Sequence, residues 1–161
     1  MNHYKKQFAV IGLGRFGTSV ACALSKAGHD VLAIDADCER VQKLAEEVTH
    51  VVKADATDEN ALRELGLRNF DIVIIAIGQD VQASVLTTLI SKEMGVKYIV
   101  AKAHNVLHGK MLSKVGADRV VYPEWDMGIR IAHNLISTNV VDYIELSPNL
   151  GIIEVGLPQS L

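Results

Sequence analysis

Short apolar runs rich in Val and Ile alternate along this chain with longer stretches in which apolar positions recur every three or four residues. The first pattern is that of strands buried on both faces and the second that of helices laid against a sheet, so their alternation predicts β-α units around a parallel sheet. Six units are counted. Strands are expected at Phe8–Ile11, Val31–Ile34, His50–Lys53, Ile72–Ala76, Tyr98–Ala101 and Arg119–Tyr122. Helices are expected near Arg15–Ala27, Asp37–Glu46, Asp58–Leu65, Val81–Met94 and Val106–Lys114, with a last one from Pro123 to about Ser137. Pro123 suits a first helical position, where a missing N–H costs nothing. The pattern gives an α/β class: a Rossmann-like, doubly wound, parallel six-stranded sheet with a C-terminal crossover helix and a short strand tail. Phe8 to Gly14 and Ile72 to Gly78 resemble each other as apolar strands ending in glycine, as expected if each opens one half of a two-part fold. Beyond about residue 140 the pattern changes, with strands expected at Val141–Leu146 and Ile152–Val155 around a turn from Ser147 to Gly151.

Composition narrows the class. The 161 residues are 49% hydrophobic and 22% charged, the balance of one packed domain of ordinary size. The net charge of -3 and scattered Lys and Arg offer no basic stripe for nucleic acid. Cys22 and Cys38 lack metal-type spacing and are expected as free thiols of a reducing compartment. Met1 to Gln7 has no secretory profile, and the longest apolar run, Ile72 to Ile77, is far short of the roughly 20 residues that span a bilayer. A cytoplasmic chain without direct membrane insertion is expected.

The candidate chemistry begins at Gly12-Leu-Gly14-Arg-Phe-Gly17, which follows an apolar strand and opens a helix, the setting of a dinucleotide-binding turn. Gly12 permits the tight turn, Gly14 removes a Cβ that would block a pyrophosphate, and Gly17 lets the helix approach the sheet. Amides at the helix start, from Arg15 and Phe16 onward, then face phosphate oxygens. Asp35 ends the second strand about 20 residues on, where an acid accepts hydrogen bonds from ribose hydroxyls and repels a 2′-phosphate. NAD or an adenosine phosphate is therefore favoured over NADP. Ligands of open α/β sheets sit outside the carboxyl ends of the strands. Those ends also carry Asp55, Ala56 and Thr57, then Ile77 and Gly78, then Lys102, and last Glu124. Asp55 and Thr57 reach an adenine or cap the next helix. Lys102 and Arg15 are cations near the expected phosphates. Glu124 holds Mg²⁺ together with phosphate oxygens, or complements its helix dipole.

Two patterns are set aside. Tyr98 and Lys102 match a Tyr-x-x-x-Lys pair, but in an extended segment they stand about 13 Å apart. His104 and His108 lack a third metal ligand and read as a surface pair at a helix start. No catalytic constellation is found, and the chain is not expected to be an enzyme.

Taken together, Phe8 to Gly17, Ala54 to Thr57, Asn69 to Gly78, Gln82 to Ser84, Gly116 to Asp118, and Pro123-Glu124 with Asp126 to Gly128 resemble the regulatory subunits of Ktr/Trk bacterial potassium uptake systems. The resemblance runs from about Gln7 to Leu146 and points to the RCK (or KTN) domain of the Ktr type. It implies a regulatory subunit peripheral to the inner face of the plasma membrane, assembled as a dimer, tetramer or eight-membered ring under a membrane K⁺-translocating subunit. It implies ATP/ADP as ligands, held by Gly12, Gly14, Arg15, Phe16, Gly17, Asp35, Asp55, Ala56, Thr57, Ile77, Gly78 and Lys102, with Glu124 for a cation. An NAD(H)-binding redox sensor or a small NAD-dependent oxidoreductase is the alternative. Residues 1–140 correspond to the nucleotide-binding domain, and 141–161 to the start of a missing or exchanged C-terminal domain.

Overall fold

The computed structural model describes residues 4–136, 140–147 and 150–156. The expected helix end at Ser137, part of the turn between Ser147 and Gly151, and the last five residues of the tail lie outside the described residues. The chain divides into two compact units, Met1–Val121 and Tyr122–Leu161.

In the first unit, β1 (Gln7–Ile11), β2 (Asp30–Asp35), β3 (His50–Lys53), β4 (Ile72–Ile75), β5 (Ile99–Lys102) and β6 (Arg119–Val121) form one sheet in the order β3-β2-β1-β4-β5-β6. Every pairing is parallel. The intervening helices are α1 (Arg15–Lys26), α2 (Cys38–Leu44), α3 (Glu59–Glu64), α4 (Val81–Glu93) and α5 (Val106–Val115), with a 3₁₀ turn at Leu67–Asn69 before β4. The order reverses between β1 and β4, the two glycine-ended strands, so the connections after them diverge to opposite sides and leave a crevice at their carboxyl ends. The six-stranded, Rossmann-like sheet expected from the apolar periodicity is present.

Burial explains the register. Val10, Ile11, Val31, Ile34, Val73, Ile75 and Ile99 are almost wholly removed from solvent, each worth roughly 1.5–3 kcal/mol relative to exposure. Ile11 sits beside Ile34 on one side and Ile75 on the other, which brings the three central strands to an end at one level. The Gly12 turn, Asp35 and the Ala76 to Gly78 connection therefore share one edge of the sheet.

Two strand ends differ from expectation in ways that matter. β2 continues through Asp35, so that carboxylate is fixed on a strand, and β5 is displaced by one residue so that Lys102 closes it while Tyr98 lies outside. Tyr98 and Lys102 thus bracket an extended segment, as their rejection as a catalytic pair requires.

The second unit contains α6 (Pro123–Ile136) and an antiparallel hairpin of β7 (Val140–Ser147) and β8 (Leu150–Val155). The division falls at Tyr122, so α6 belongs with the hairpin rather than with residues 1–121. Among the described residues no helix is long and apolar enough to cross a membrane.

Candidate site at the carboxyl edge of the sheet

The glycine turn is shaped by contacts that only glycine permits. Gly12 has φ +95°, and a Cβ there would lie 2.9 Å from backbone atoms of Ala76 and Ile77. A Cβ on Gly17 would fall 1.8 Å from the Gly12 carbonyl oxygen. The first turn of α1 therefore lies directly on the loop that precedes it, and the glycines are read correctly as turn and close-approach positions. Gly14 is different, because a Cβ there would meet nothing within 4 Å. Its outer side is open.

Helix starts in this unit make the contrast plain. Asp37, Asp58, Asp80 and Asn105 cap α2, α3, α4 and α5 with side-chain oxygens, satisfying amides that a helix start leaves without internal partners. The N-cap of α1 is Gly14, with no side-chain cap. An uncapped start carries the positive end of the helix dipole toward the crevice, which suits an anion. Arg15 opens this helix and is exposed, while Phe16 is half-buried.

Asp35, 9% exposed, binds the turn from the neighbouring strand. Its Oδ2 accepts the Leu13 N–H at 2.6 Å and its Oδ1 accepts the Asp37 N–H at 2.8 Å. Arg40 approaches the same carboxylate, with Nη1 3.5 Å from Oδ2 and Nε 3.8 Å from Asp37. The sequence reading missed Arg40. Its signal was a base five residues after the acid, on the first turns of the following helix.

Lys102 reaches the turn from the other half of the sheet. Its Nζ stands 5.9 Å from the centroid of the Phe16 ring, within the range of a cation-π contact, and 3.5 Å from where a Cβ would stand on Gly78. Glycine turn, Asp35, Gly78 and Lys102 are therefore brought to one crevice.

Asp55, Ala56 and Thr57 follow β3, at the far side of Asp35. Asp55 Oδ1 accepts both the backbone N–H and the hydroxyl of Thr57, at 2.9 and 2.7 Å, and these bonds hold its carboxyl below the ordinary value. The capping alternative for Asp55 and Thr57 is not realised, since Asp58 caps α3. Ala56 is buried, and its carbonyl accepts the Thr87 hydroxyl of α4 at 3.0 Å.

One expectation is overturned. His104 and His108 are not a surface pair: His108 is 1% exposed. Its Nδ1 accepts the His104 N–H at 3.0 Å and its Nε2 lies 3.1 Å from Ser84 Oγ on α4. The Asn105 cap folds the ring inward, a consequence that helical spacing alone does not reveal.

Glu124 is exposed in the first turn of α6, in the second unit. Among the described residues no group of three or more His, Cys, Asp or Glu side chains gathers to hold a metal. Cys22 and Cys38 are free, and Cys38 is exposed.

The sheet order and the glycine turn together define a Rossmann-like domain. The TrkA-N domain model matches residues 8–123, and the chain belongs to that family. Ktr system potassium uptake protein C of Bacillus subtilis (strain 168) is 56% identical over 151 residues, covering 94% of this chain and 68% of that protein. Ktr system potassium uptake protein A of the same organism is 53% identical over 150 residues, covering 93% and 68%. The resemblance read from the sequence is thereby borne out. Among solved structures, the TrkA-N domain of inner membrane protein ybaL from Escherichia coli superposes with a TM-score of 0.71 at 19% identity, covering 85% of this chain and all of that one. The Shewanella denitrificans Kef CTD in AMP bound form gives 0.68 at 21%, covering 81% and 82%. A GsuK channel bound to NAD gives 0.65 at 18%, covering 75% and 22%. At these identities the structures establish the shared fold.

Proposed function

We propose that this chain is a cytoplasmic regulatory subunit of a potassium uptake system, which binds an adenine nucleotide at the crevice between β1 and β4. The observation that carries this reading is the uncapped start of α1 beside the open side of Gly14, with Asp35 fixed one strand away and the Lys102 ammonium above the turn. Amides and helix dipole receive phosphate oxygens, and Asp35 accepts the ribose hydroxyls in charge-assisted hydrogen bonds worth roughly 1.5–3 kcal/mol. Ile77, Gly78, Asp55, Ala56 and Thr57 form the ribose and adenine surroundings. The similarity to Ktr system potassium uptake proteins supports the transport context, with a membrane K⁺-translocating subunit as partner and a homo-oligomer as the working form.

In this reading ATP and ADP are the ligands, and they act as a switch rather than as substrates. A triphosphate recruits Arg15 and Lys102, a diphosphate recruits them less, and only such differential affinity moves a conformational equilibrium. A coupling of about 1–3 kcal/mol is enough to bias a gate. Glu124, in the second unit, is proposed as a carboxylate ligand for a divalent cation such as Mg²⁺. The nucleotide is carried by the sheet unit, residues 1–121.

NAD(H) is the second reading, favoured by the same ribose acid and by the neighbour described as bound to NAD. Mass spectrometry of the nucleotide that copurifies, followed by calorimetric titration with ATP, ADP, NAD⁺ and NADH, separates the two. Preference for ATP and ADP supports the first reading. Tighter NADH binding replaces it with the second, and failure to bind any of the four refutes both.

A further inference from the structure

We propose that His108 is a positioning residue for the phosphate end of the crevice: its Nδ1 fixes the connection that leaves Lys102, and its Nε2 anchors the ring to α4. The inference rests on the adenine-nucleotide reading above. Its geometry does not.

The tautomer follows from the partners. A backbone N–H can only donate, so the 3.0 Å contact from His104 makes Nδ1 the acceptor and leaves the ring proton on Nε2. That proton is directed to Ser84 Oγ at 3.1 Å. The ring therefore works in its neutral form. Burial, with His104 adding to it, holds its pKa below the ordinary imidazole value.

A capping role alone does not account for this arrangement. Asn105 already caps α5 through the His108 N–H at 2.9 Å, so the helix has its start without the imidazole. The Nδ1 bond instead lands on His104, outside the helix and two residues past Lys102. Ser84 and Lys102 belong to α4 and β5, whose connections flank the crevice on the side away from Asp35. His108 thus ties the second residue after the strand end to the start of α5, and the ring is steadied by a helix that is itself buried along Ser84, Thr87, Thr88 and Ser91. With the tie in place, the backbone that carries the Lys102 ammonium over Phe16 and Gly78 has one setting. Without it, Lys102 meets the phosphates from a looser base.

Two substitutions separate the two ring nitrogens. In His108→Asn the side-chain oxygen stands near the position of Nδ1 and still accepts from His104, while the Ser84 contact is lost. In His108→Gln the amide reaches Ser84 and the His104 N–H loses its acceptor. Calorimetry on the full chain with ATP and with AMP reads the effect, with Lys102→Ala as reference. His108→Gln is expected to raise the ATP dissociation constant about five- to tenfold and to leave AMP within about twofold, with His108→Asn close to the parent protein. Amide exchange of His104 in ligand-free protein should quicken in His108→Gln and stay slow in His108→Asn. Equal losses for ATP and AMP, an unchanged ATP constant, or two variants that behave alike would overturn the proposal. If Lys102→Ala itself leaves ATP binding unchanged, the phosphate role of Lys102 fails and this inference falls with it. Should His108→Gln not fold, His108→Leu fills a similar volume and offers the His104 N–H no acceptor; selective weakening of ATP supports the role, and parent-like affinity removes it.

Discussion

Gly17 and Gly14 sit three residues apart in one motif, yet the geometry assigns them separable tasks. Gly17→Ala places a Cβ 1.8 Å from the Gly12 carbonyl oxygen, whereas real Cβ atoms essentially never come nearer than 3.0 Å. The obstacle is backbone, so α1 has to back away from the sheet by about an ångström or more, against the packing of the buried Ala21. Overpacking of this kind costs about 1–3 kcal/mol and more when backbone has to move. In a chain of this size about 3 kcal/mol lowers Tm by roughly 6–12 °C. Gly14→Ala meets nothing within 4 Å, and its φ of -73° with extended ψ is open to alanine. Its stability should change by less than about 1 kcal/mol. A methyl there projects over the start of α1, where phosphate is to sit, so ATP affinity should fall at least about tenfold, near 1.4 kcal/mol. Thermal melts and calorimetry on the two variants give four numbers. Parent-like ATP affinity in Gly14→Ala refutes the cradle, and a parent-like Tm in Gly17→Ala refutes the close-approach argument.

Other outcomes follow from the same geometry. Asp35→Ala leaves the buried Leu13 N–H without its acceptor, which should cost about 1–3 kcal/mol of stability and weaken every adenosine ligand; dissociation constants that stay put would remove the ribose assignment. Arg15→Ala should narrow the difference between ATP and ADP affinities and leave AMP almost untouched, and equal losses across the three would end its sensor role. His108 has a depressed pKa, so its contribution to stability is complete above the unfolded value of about 6.5 and is lost as pH falls from there through the folded value. Denaturant titrations between pH 7.5 and 5 should show stability falling, with a shallower slope in His108→Gln; identical slopes would contradict the buried neutral ring.

The backbone frame was legible because strands buried on both faces leave long Val and Ile runs, and because Gly12, Gly17 and Asp35 meet constraints that few residues satisfy. The polar tethers were not. Ser84, Thr87, Thr88 and Ser91 are small polar residues at helical spacing, yet all four are buried. Thr88 and Ser91 return their hydroxyls to carbonyls four residues earlier, which makes burial tolerable without any long-range mark in the sequence. Thr87 and His108 use distant partners, Ala56 and Ser84, that only the tertiary fold supplies. Asn105 three residues before His108 was the available local clue, since an N-cap followed by a polar third residue can fold that side chain back over the helix start. Strand ends slipped by one residue for a simpler reason: Asp35 and Lys102 are charged and look like loop, but each completes a ladder with its neighbour, Lys53 and Val121 respectively.

The short bond from the Leu13 amide to Asp35 has a consequence for how a guest is received. The turn is braced by the chain's own adjacent strand, so little disorder remains to be surrendered on arrival. Free energy of attachment is then spent on selecting among guests, and the loop's own shape is already settled.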